Sequence, residues 1–270
     1  AFCGYRNCKN FGDSWISAGQ GLWYLHDSTH LNRSRMLLGV TCAVSGTGFG
    51  FTRELLEQLG IDMAQAAVVA TGYGRISVPY ADKCVTEITC HGRGSCHVYE
   101  REKLTVIDIG GQDTKLILAD NGLVKDFIMN DKCSAGTGRF LEVMANTLGV
   151  RPDELCELAS HGGGTSISSM CTVFAESEVI GHIGEGKPRE DIAAGVIDSV
   201  ATRVSNLVTR FGIKGDLYLT GGLCDSTYFI RILSQKTGRT VTTHPMARYA
   251  GALGAALAAA KQKTMDWSGL

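Results

Sequence analysis

Between residues 104 and 129 three short apolar runs are separated only by tight turns, and this leaves the chain few ways to fold. Leu104-Thr105-Val106-Ile107-Asp108 leads into Gly110-Gly111, a second run covers 114–119, and Asp120-Asn121-Gly122 turns the chain into 123–129. Apolar runs of this length bounded by turn residues are strands. Asn-Gly favours a two-residue hairpin turn because both of its positions tolerate positive φ. A meander with a two-glycine loop at one end is therefore expected, and at such a loop bare backbone can pass close to a ligand.

The flanking sequence supplies further elements. Thr52 can cap a helix that carries Leu55, Leu56 and Leu59 on one face and stops at Gly60. Ala66-Ala67-Val68-Val69-Ala70 reads as a short buried strand entering Thr71-Gly72-Tyr73-Gly74-Arg75. Helices are expected over 139–148 and 173–180, and a longer one from Pro188, with Val196, Val200, Val204 and Val208 four apart beside Ile197 and Leu207. A strand at 216–220 ends in Gly221-Gly222, another covers 240–243, and an alanine-rich helix covers 249–261. The pattern is α/β or mixed α+β, with a boundary near 100–104. Residues 1–50 show neither strand alternation nor helical period, and no element is assigned to them.

Composition narrows the class. At 270 residues, 44% hydrophobic and 20% charged, the chain is globular and holds one large or two ordinary domains. A formal net charge of -1 gives no basic surface for nucleic acid or an anionic membrane. No uncharged apolar run reaches the length of about 18 residues that a membrane span needs, and a cytoplasmic location is expected. Ten cysteines lie scattered at 3, 8, 42, 84, 90, 96, 133, 156, 171 and 224. In a chain of this kind they point to thiol, metal or catalytic roles rather than a disulfide framework.

Two of them stand in distinctive surroundings. Cys133 precedes Ser134-Ala135-Gly136-Thr137-Gly138-Arg139, small residues that open a helix, and Cys171 opens the helix at Thr172-Val173-Phe174-Ala175-Glu176. A thiolate at a helix start meets unpaired N–H groups and the positive end of the dipole, which favours it as a metal ligand. In Asp108-Ile109-Gly110-Gly111-Gln112-Asp113-Thr114-Lys115 the glycines let backbone N–H groups approach phosphate oxygens, while Asp108 or Asp113 can hold Mg²⁺ or orient a water. An ordinary hairpin with solvated carboxylates is the alternative for that stretch alone. Thr220-Gly221-Gly222 likewise suits a ligand lying against bare backbone. Cys84, Cys90, Cys96, Cys156 and Cys224 fit packing or free-thiol roles, and His91 fits a hydrogen-bonded structural histidine.

The order of Asp-Gly-Gly hairpin, helices, strand-Gly-Gly and small-residue helix resembles the actin, hexokinase and Hsp70 ATPase superfamily. Ala70-Thr71-Gly72-Tyr73-Gly74-Arg75, the Asp108–Asp113 loop, Asn130 through Phe140, Cys171 through Glu178 and Ala252-Leu253-Gly254-Ala255-Ala256 narrow the match. Over about residues 50–262 they resemble the activators, or archerases, of 2-hydroxyacyl-CoA dehydratases, of the BadF/BadG/BcrA/BcrD type. The ATPase subunits of benzoyl-CoA reductase are close relatives.

The resemblance implies an α/β, two-lobed actin-like ATPase with the ribonuclease H-like fold, its mixed sheets flanked by helices. The first lobe would span 1–103, completed by a C-terminal helix at 246–262, and the second 104–245. It further implies a homodimer with one [4Fe–4S] cluster, to which each subunit gives Cys133 and Cys171. Asp108, Gln112 and Asp113 would handle ATP or ADP and Mg²⁺, helped by Gly110, Gly111, Gly136 and Gly138, with Gly221 and Gly222 on the adenosine side. Glu176 would act near the nucleotide or fix its helix. A reduced ferredoxin or flavodoxin would supply the electron and a dehydratase or reductase component would receive it. For one electron about 59 mV corresponds to about 1.4 kcal/mol, so a rearrangement of several kcal/mol could shift a potential by roughly a few hundred millivolts. Competing readings are a benzoyl-CoA-type reductase subunit, an N-acetylhexosamine or other sugar kinase of the superfamily, and a non-catalytic nucleotide sensor.

One departure stands out. The superfamily's first phosphate loop, an Asp-x-Gly-Ser/Thr stretch, does not occur in residues 1–50. With permitted codons, Gly4-Tyr5-Arg6-Asn7-Cys8 shifted by one base can read Asp-Ile-Gly-Thr, so a frame error is one explanation and a divergent segment the other.

Overall fold

The turn chemistry of the meander is realised. Asn121 and Gly122 take positive φ of 51° and 71° and close a tight hairpin between β6 (Thr114–Asp120) and β7 (Leu123–Asn130). Preceding them, β5 (Lys103–Ile109) pairs antiparallel with β6, with Asp108 opposite Lys115. The structure is a computed structural model that describes residues 22–26, 36–41, 67–130, 134–168, 171–213 and 215–265. The helix expected from Thr52 to Leu59 lies outside the described residues.

Two sheets result. In the second, β8 (Leu217–Gly221) runs parallel to β5 and β9 (Val241–Thr242) parallel to β8, giving the order β7-β6-β5-β8-β9. The first has the order β1-β2-β3-β4, with β1 (Leu22–His26) antiparallel to β2 (Met36–Thr41) and β3 (Ala67–Thr71) parallel to both β2 and β4 (Lys83–Cys84). Two strands therefore occupy a segment to which the sequence assigned none. Leu-Trp-Tyr-Leu-His and Met-Leu-Leu-Gly-Val-Thr lack the polar alternation that marks a half-buried strand, so periodicity could not find them.

Helices cover both faces of the second sheet. Ile107, Ile109, Leu116, Leu217 and Leu219 face a large core shared with α2 (Gly138–Thr147), α3 (Leu155–Ser160), α5 (Arg189–Phe211) and α6 (Thr227–Thr237). Within it the four valines of α5 are buried, and Pro188 sits at that helix's N-cap with Gly212 in left-handed conformation at its end. On the opposite face Leu104, Val106, Ile117 and Ala119 receive Ile88 and Cys96 of α1 (Glu87–Val98). For α1 and α3 the sequence gives no periodic signal, whereas helix-forming sequence does follow Gly222. Among the described residues no helix is long and apolar enough to cross a membrane.

α1 lies between the second sheet and α7 (Ala250–Met265), which itself packs over the first sheet through Ala255, Ala258 and Ala259 against Ala67 and Val69. The two helices approach so closely that a Cβ on Gly94 would stand 1.8 Å from the Ala250 carbonyl oxygen, and one on Gly254 equally close to that of Cys90. Overpacking at such a contact costs about 1–3 kcal/mol or more. Gly94→Ala is expected to lower the urea midpoint by a shift of that size with an unchanged slope, measured by far-UV circular dichroism; an unchanged midpoint would mean that the helices can separate freely.

Candidate functional site

Strand alternation decides which polar groups can meet. Asp108 shares a face of β5 with Leu104 and Val106, and Lys115 shares a face of β6 with Ile117 and Ala119, so both project toward α1. On α1, Glu87 and His91 are one turn apart and point the same way. Thr86 caps the helix by accepting the Thr89 N–H, which holds that turn in place.

The groups converge on one ammonium. Lys115 Nζ lies 2.9 Å from Glu87 Oε1 and 3.7 Å from Asp108 Oδ2, and it donates to Asp113 Oδ1. Its side chain is only 4% exposed. The second oxygen of Asp108 accepts Thr220 Oγ1–H at 3.1 Å and faces His91 Nε2 at 3.2 Å, and Tyr73 donates its hydroxyl to Asp113 Oδ2 at 2.8 Å. His91 Nδ1 stands 3.1 Å from the Glu87 carbonyl oxygen, so both ring nitrogens face acceptors and both act as donors.

The electrostatics agree with that geometry. Burial alone would raise the Asp108 pKa, but His91, Lys115 and Thr220 hold it well below the ordinary carboxylate range. Burial alone would lower His91 and Lys115, yet the Asp108 carboxylate, with Asp113 and Glu87 beside Lys115, pushes both upward. Tyr73 is pushed up to about 12 by burial and its bond to Asp113. Three carboxylates against two cations leave one negative charge in excess, with the Lys115 ammonium at the centre of the cluster.

The glycine loop is stitched to the helix that follows it. Gly110 N–H donates to Asp113 O at 2.9 Å, Gly138 N–H to Gly110 O at 2.9 Å and Arg139 N–H to Gly111 O at 2.7 Å, so the start of α2 hangs on this loop. Thr114 Oγ1 donates to Gly136 O at 2.7 Å, and Gln112 is exposed at the loop's tip. At the end of β8, Gly221 has φ 85°, and a Cβ there would lie 2.2 Å from the Ile109 carbonyl oxygen, which requires glycine. That same oxygen accepts the Gly222 N–H at 3.1 Å. Glu176 accepts Thr147 Oγ1 at 3.3 Å, which ties α4 (Thr172–Gly184) to the end of α2.

Cys171 is the exposed N-cap residue of α4, whereas Cys133 lies outside the described residues. Ser134 and Thr172, the residues that follow these cysteines, join hydroxyls at 2.8 Å. Among the described residues no three His, Cys, Asp or Glu side chains are grouped to hold a metal ion. An exposed thiol at a helix N-cap fits one share of an iron–sulfur ligand set, the remaining donors coming from elsewhere. Of the other described thiols Cys90 and Cys224 are buried packing groups, which burial pushes up to about 11 and about 12, whereas Cys84 is exposed.

Sequence reasoning left Tyr73, Glu87, His91, Lys115 and Thr220 without a role in the site. For Lys115 the signal was a charge at an inward-facing position of an apolar strand, where lysine is rarely buried unless paired. For Glu87 it was an acid directly after a capping threonine, which marks a helix start.

Two sheets, a carboxylate-bearing glycine hairpin and helices locked onto it define an actin-like ATPase fold. Within that class the chain belongs to the BadF/BadG/BcrA/BcrD ATPase family, whose model matches residues 50–259. It is 45% identical over 232 residues, 85% of this chain and 88% of the relative, to the (R)-2-hydroxyglutaryl-CoA dehydratase activating ATPase of Acidaminococcus fermentans. The crystal structure of that organism's (R)-2-hydroxyglutaryl-CoA dehydratase component A superposes with a TM-score of 0.77 at 43% identity, covering 85% of this chain and 90% of the other. The activator of 2-hydroxyisocaproyl-CoA dehydratase from Clostridium difficile, with bound ADPNP, gives a TM-score of 0.77 at 38% identity, covering 88% and 89%.

Breaking a buried ion cluster by removing one partner costs about 3–5 kcal/mol. Lys115→Met should lose about that much stability at pH 8. Asp108 is depressed in the folded protein, so its contribution is present above its unfolded value of 3.8 and lost as pH falls through its lower folded value. Without the ammonium Asp108 loses one of the groups that hold it down, so less of the variant's stability depends on that carboxylate staying ionised. The deficit of the variant should therefore shrink as pH falls from 5 to 3, across the unfolded value of 3.8, as read from urea midpoints, and a deficit that grew over that range would contradict the arrangement.

Proposed function

We propose that the chain is an ATP-dependent, one-electron activator of a 2-hydroxyacyl-CoA dehydratase, working as a homodimer with one [4Fe–4S] cluster between its subunits. The observation that carries this reading is the bonded path from the glycine loop to the cysteine helices. Gly110 and Gly111 hold the start of α2, and the segment just before α2 meets the head of α4 through Ser134 and Thr172. A nucleotide phosphate that moves the loop would therefore move Ser134 and Thr172, the residues next in the chain to Cys133 and Cys171.

Each part of the chain has a task in that scheme. Asp108, Asp113 and Gln112 would hold Mg²⁺ and phosphate, with backbone amides around Gly110, Gly111, Gly136 and Gly138, and Gly221 with Gly222 would receive the adenosine side. Glu176 fixes α4 against α2. Cys133 and Cys171 of each subunit would be the four thiolate ligands, a complement that such a cluster needs. When bound, the cluster supplies a one-electron carrier of low potential. Cys171, at the N-cap of α4, would set its sulfur at the positive end of that helix, which favours a negative, reduced state.

Exposed apolar side chains on α4 support the dimer: Val173 is 65% and Phe174 67% exposed, followed by Ile180 and Ile183. The two sheets support a division into lobes, 1–103 with the helix at 246–262 against 104–245, and relative movement of such lobes is how a nucleotide would act on the loop. Electrons would come from a reduced ferredoxin or flavodoxin in the cytoplasm.

Anaerobic purification with iron and sulfide analysis tests the reading. About four irons per dimer are expected, lost in Cys171→Ala while ATP hydrolysis persists. Iron-free protein from a competent anaerobic host, or full iron in the variant, would defeat it.

A further inference from the structure

We propose that His91 is a positioning residue for ATP hydrolysis, fixing the Asp108 carboxylate from α1, with Gly251 of α7 leaving the space its ring needs. This rests on the ATPase reading and adds to it a residue from outside the glycine hairpin.

The ring is held at both nitrogens. Nδ1–H donates to the carbonyl of Glu87 one turn earlier, and Nε2–H to Asp108 Oδ1. That oxygen also accepts from Thr220, so Oδ1 is fully engaged and Oδ2, on the Lys115 side, is the oxygen left to serve a ligand. Two donors on one oxygen and a cation near the other define the plane of the carboxylate. The third restraint is steric. A Cβ on Gly251 would come within 2.7 Å of His91 Cε1 and 3.1 Å of Nδ1, so α7 forms a wall against the ring and only glycine admits it. His91 thereby links α1, α7 and the end of β5, three elements that must keep register for Asp108 to point one way.

Two kinds of variant separate this role from bulk packing. Glutamine has nearly the reach of histidine and retains a donor for Asp108; leucine fills similar space and has none. Misplacing a reacting group by about 1 Å can cost about a hundredfold, so kcat for ATP should fall about 10–100-fold in His91→Leu with KM and ADP affinity held within about threefold, and His91→Gln should recover most of that loss. Gly251→Ala removes no polar group and presses on the His91 ring, and it should show the same fall in kcat at unchanged KM. Its outcome decides the matter if His91→Leu does not fold.

Equal kcat in His91→Leu and His91→Gln, a loss residing in KM, or wild-type kcat in Gly251→Ala would overturn the proposal. The wild type is assayed first: if it hydrolyses no ATP, the ATPase reading itself fails, a result distinct from any pattern among the variants.

Discussion

Lys115 carries its ammonium among the carboxylates of Glu87, Asp108 and Asp113, and each of those three arrives on a different piece of chain. Asp108 ends a central strand, Asp113 closes the glycine loop and Glu87 begins a helix on the far side of the sheet. Buried charges of this kind are tolerated only as a complete set, because an unpaired member keeps its full desolvation penalty. The placements of α1, β5 and the loop are thus mutually conditional. The close glycine contacts that bring α1 down onto the sheet and α7 down onto α1 follow from that demand: a helix standing an ångström or two further off could not reach the ammonium.

The same economy extends to the other end of the loop. The amides of Gly138 and Arg139, which in an isolated helix start would be unsatisfied, are occupied by the carbonyls of Gly110 and Gly111. The helix α2 therefore has no independent beginning; its first turn is a continuation of the loop's hydrogen bonding. Thr114, reaching to Gly136, adds a second tie between the hairpin and the same segment. A displacement at the loop is shared with α2 rather than absorbed between them.

Much of this was legible in the residues, for reasons that differ by element. The meander could be read because its turns are local chemistry, and α5 because four valines repeat at helical spacing on a long, well-terminated segment. α1 escaped because Gly92 and Gly94 are poor helix formers, and they are glycine for tertiary reasons: a side chain at Gly92 would collide with Val124, one at Gly94 with the backbone of α7. With α1 unread, Glu87 and His91 had no element to carry them, and Lys115 had no partners to explain it. α6 carried readable signals in Ser226 and Gly238, its cap and stop, and in Phe229 and Leu233, one turn apart on its buried face. Asp108 and Asp113 were thus visible in one dimension, while Glu87 and the cations and donors around them were placed only by the fold.

The intimate contact between α1 and α7 also imposes an order on the birth of the molecule. All six polar residues around Lys115, from Tyr73 to Thr220, are translated before the helix against which α1 must lean, since α7 begins only at Ala250. A nascent polypeptide at the ribosome therefore carries a complete complement of reactive groups with no scaffold to aim them. Contacts of such long sequence separation form late and slowly, so α1 gains its second wall only when the last helix has been made.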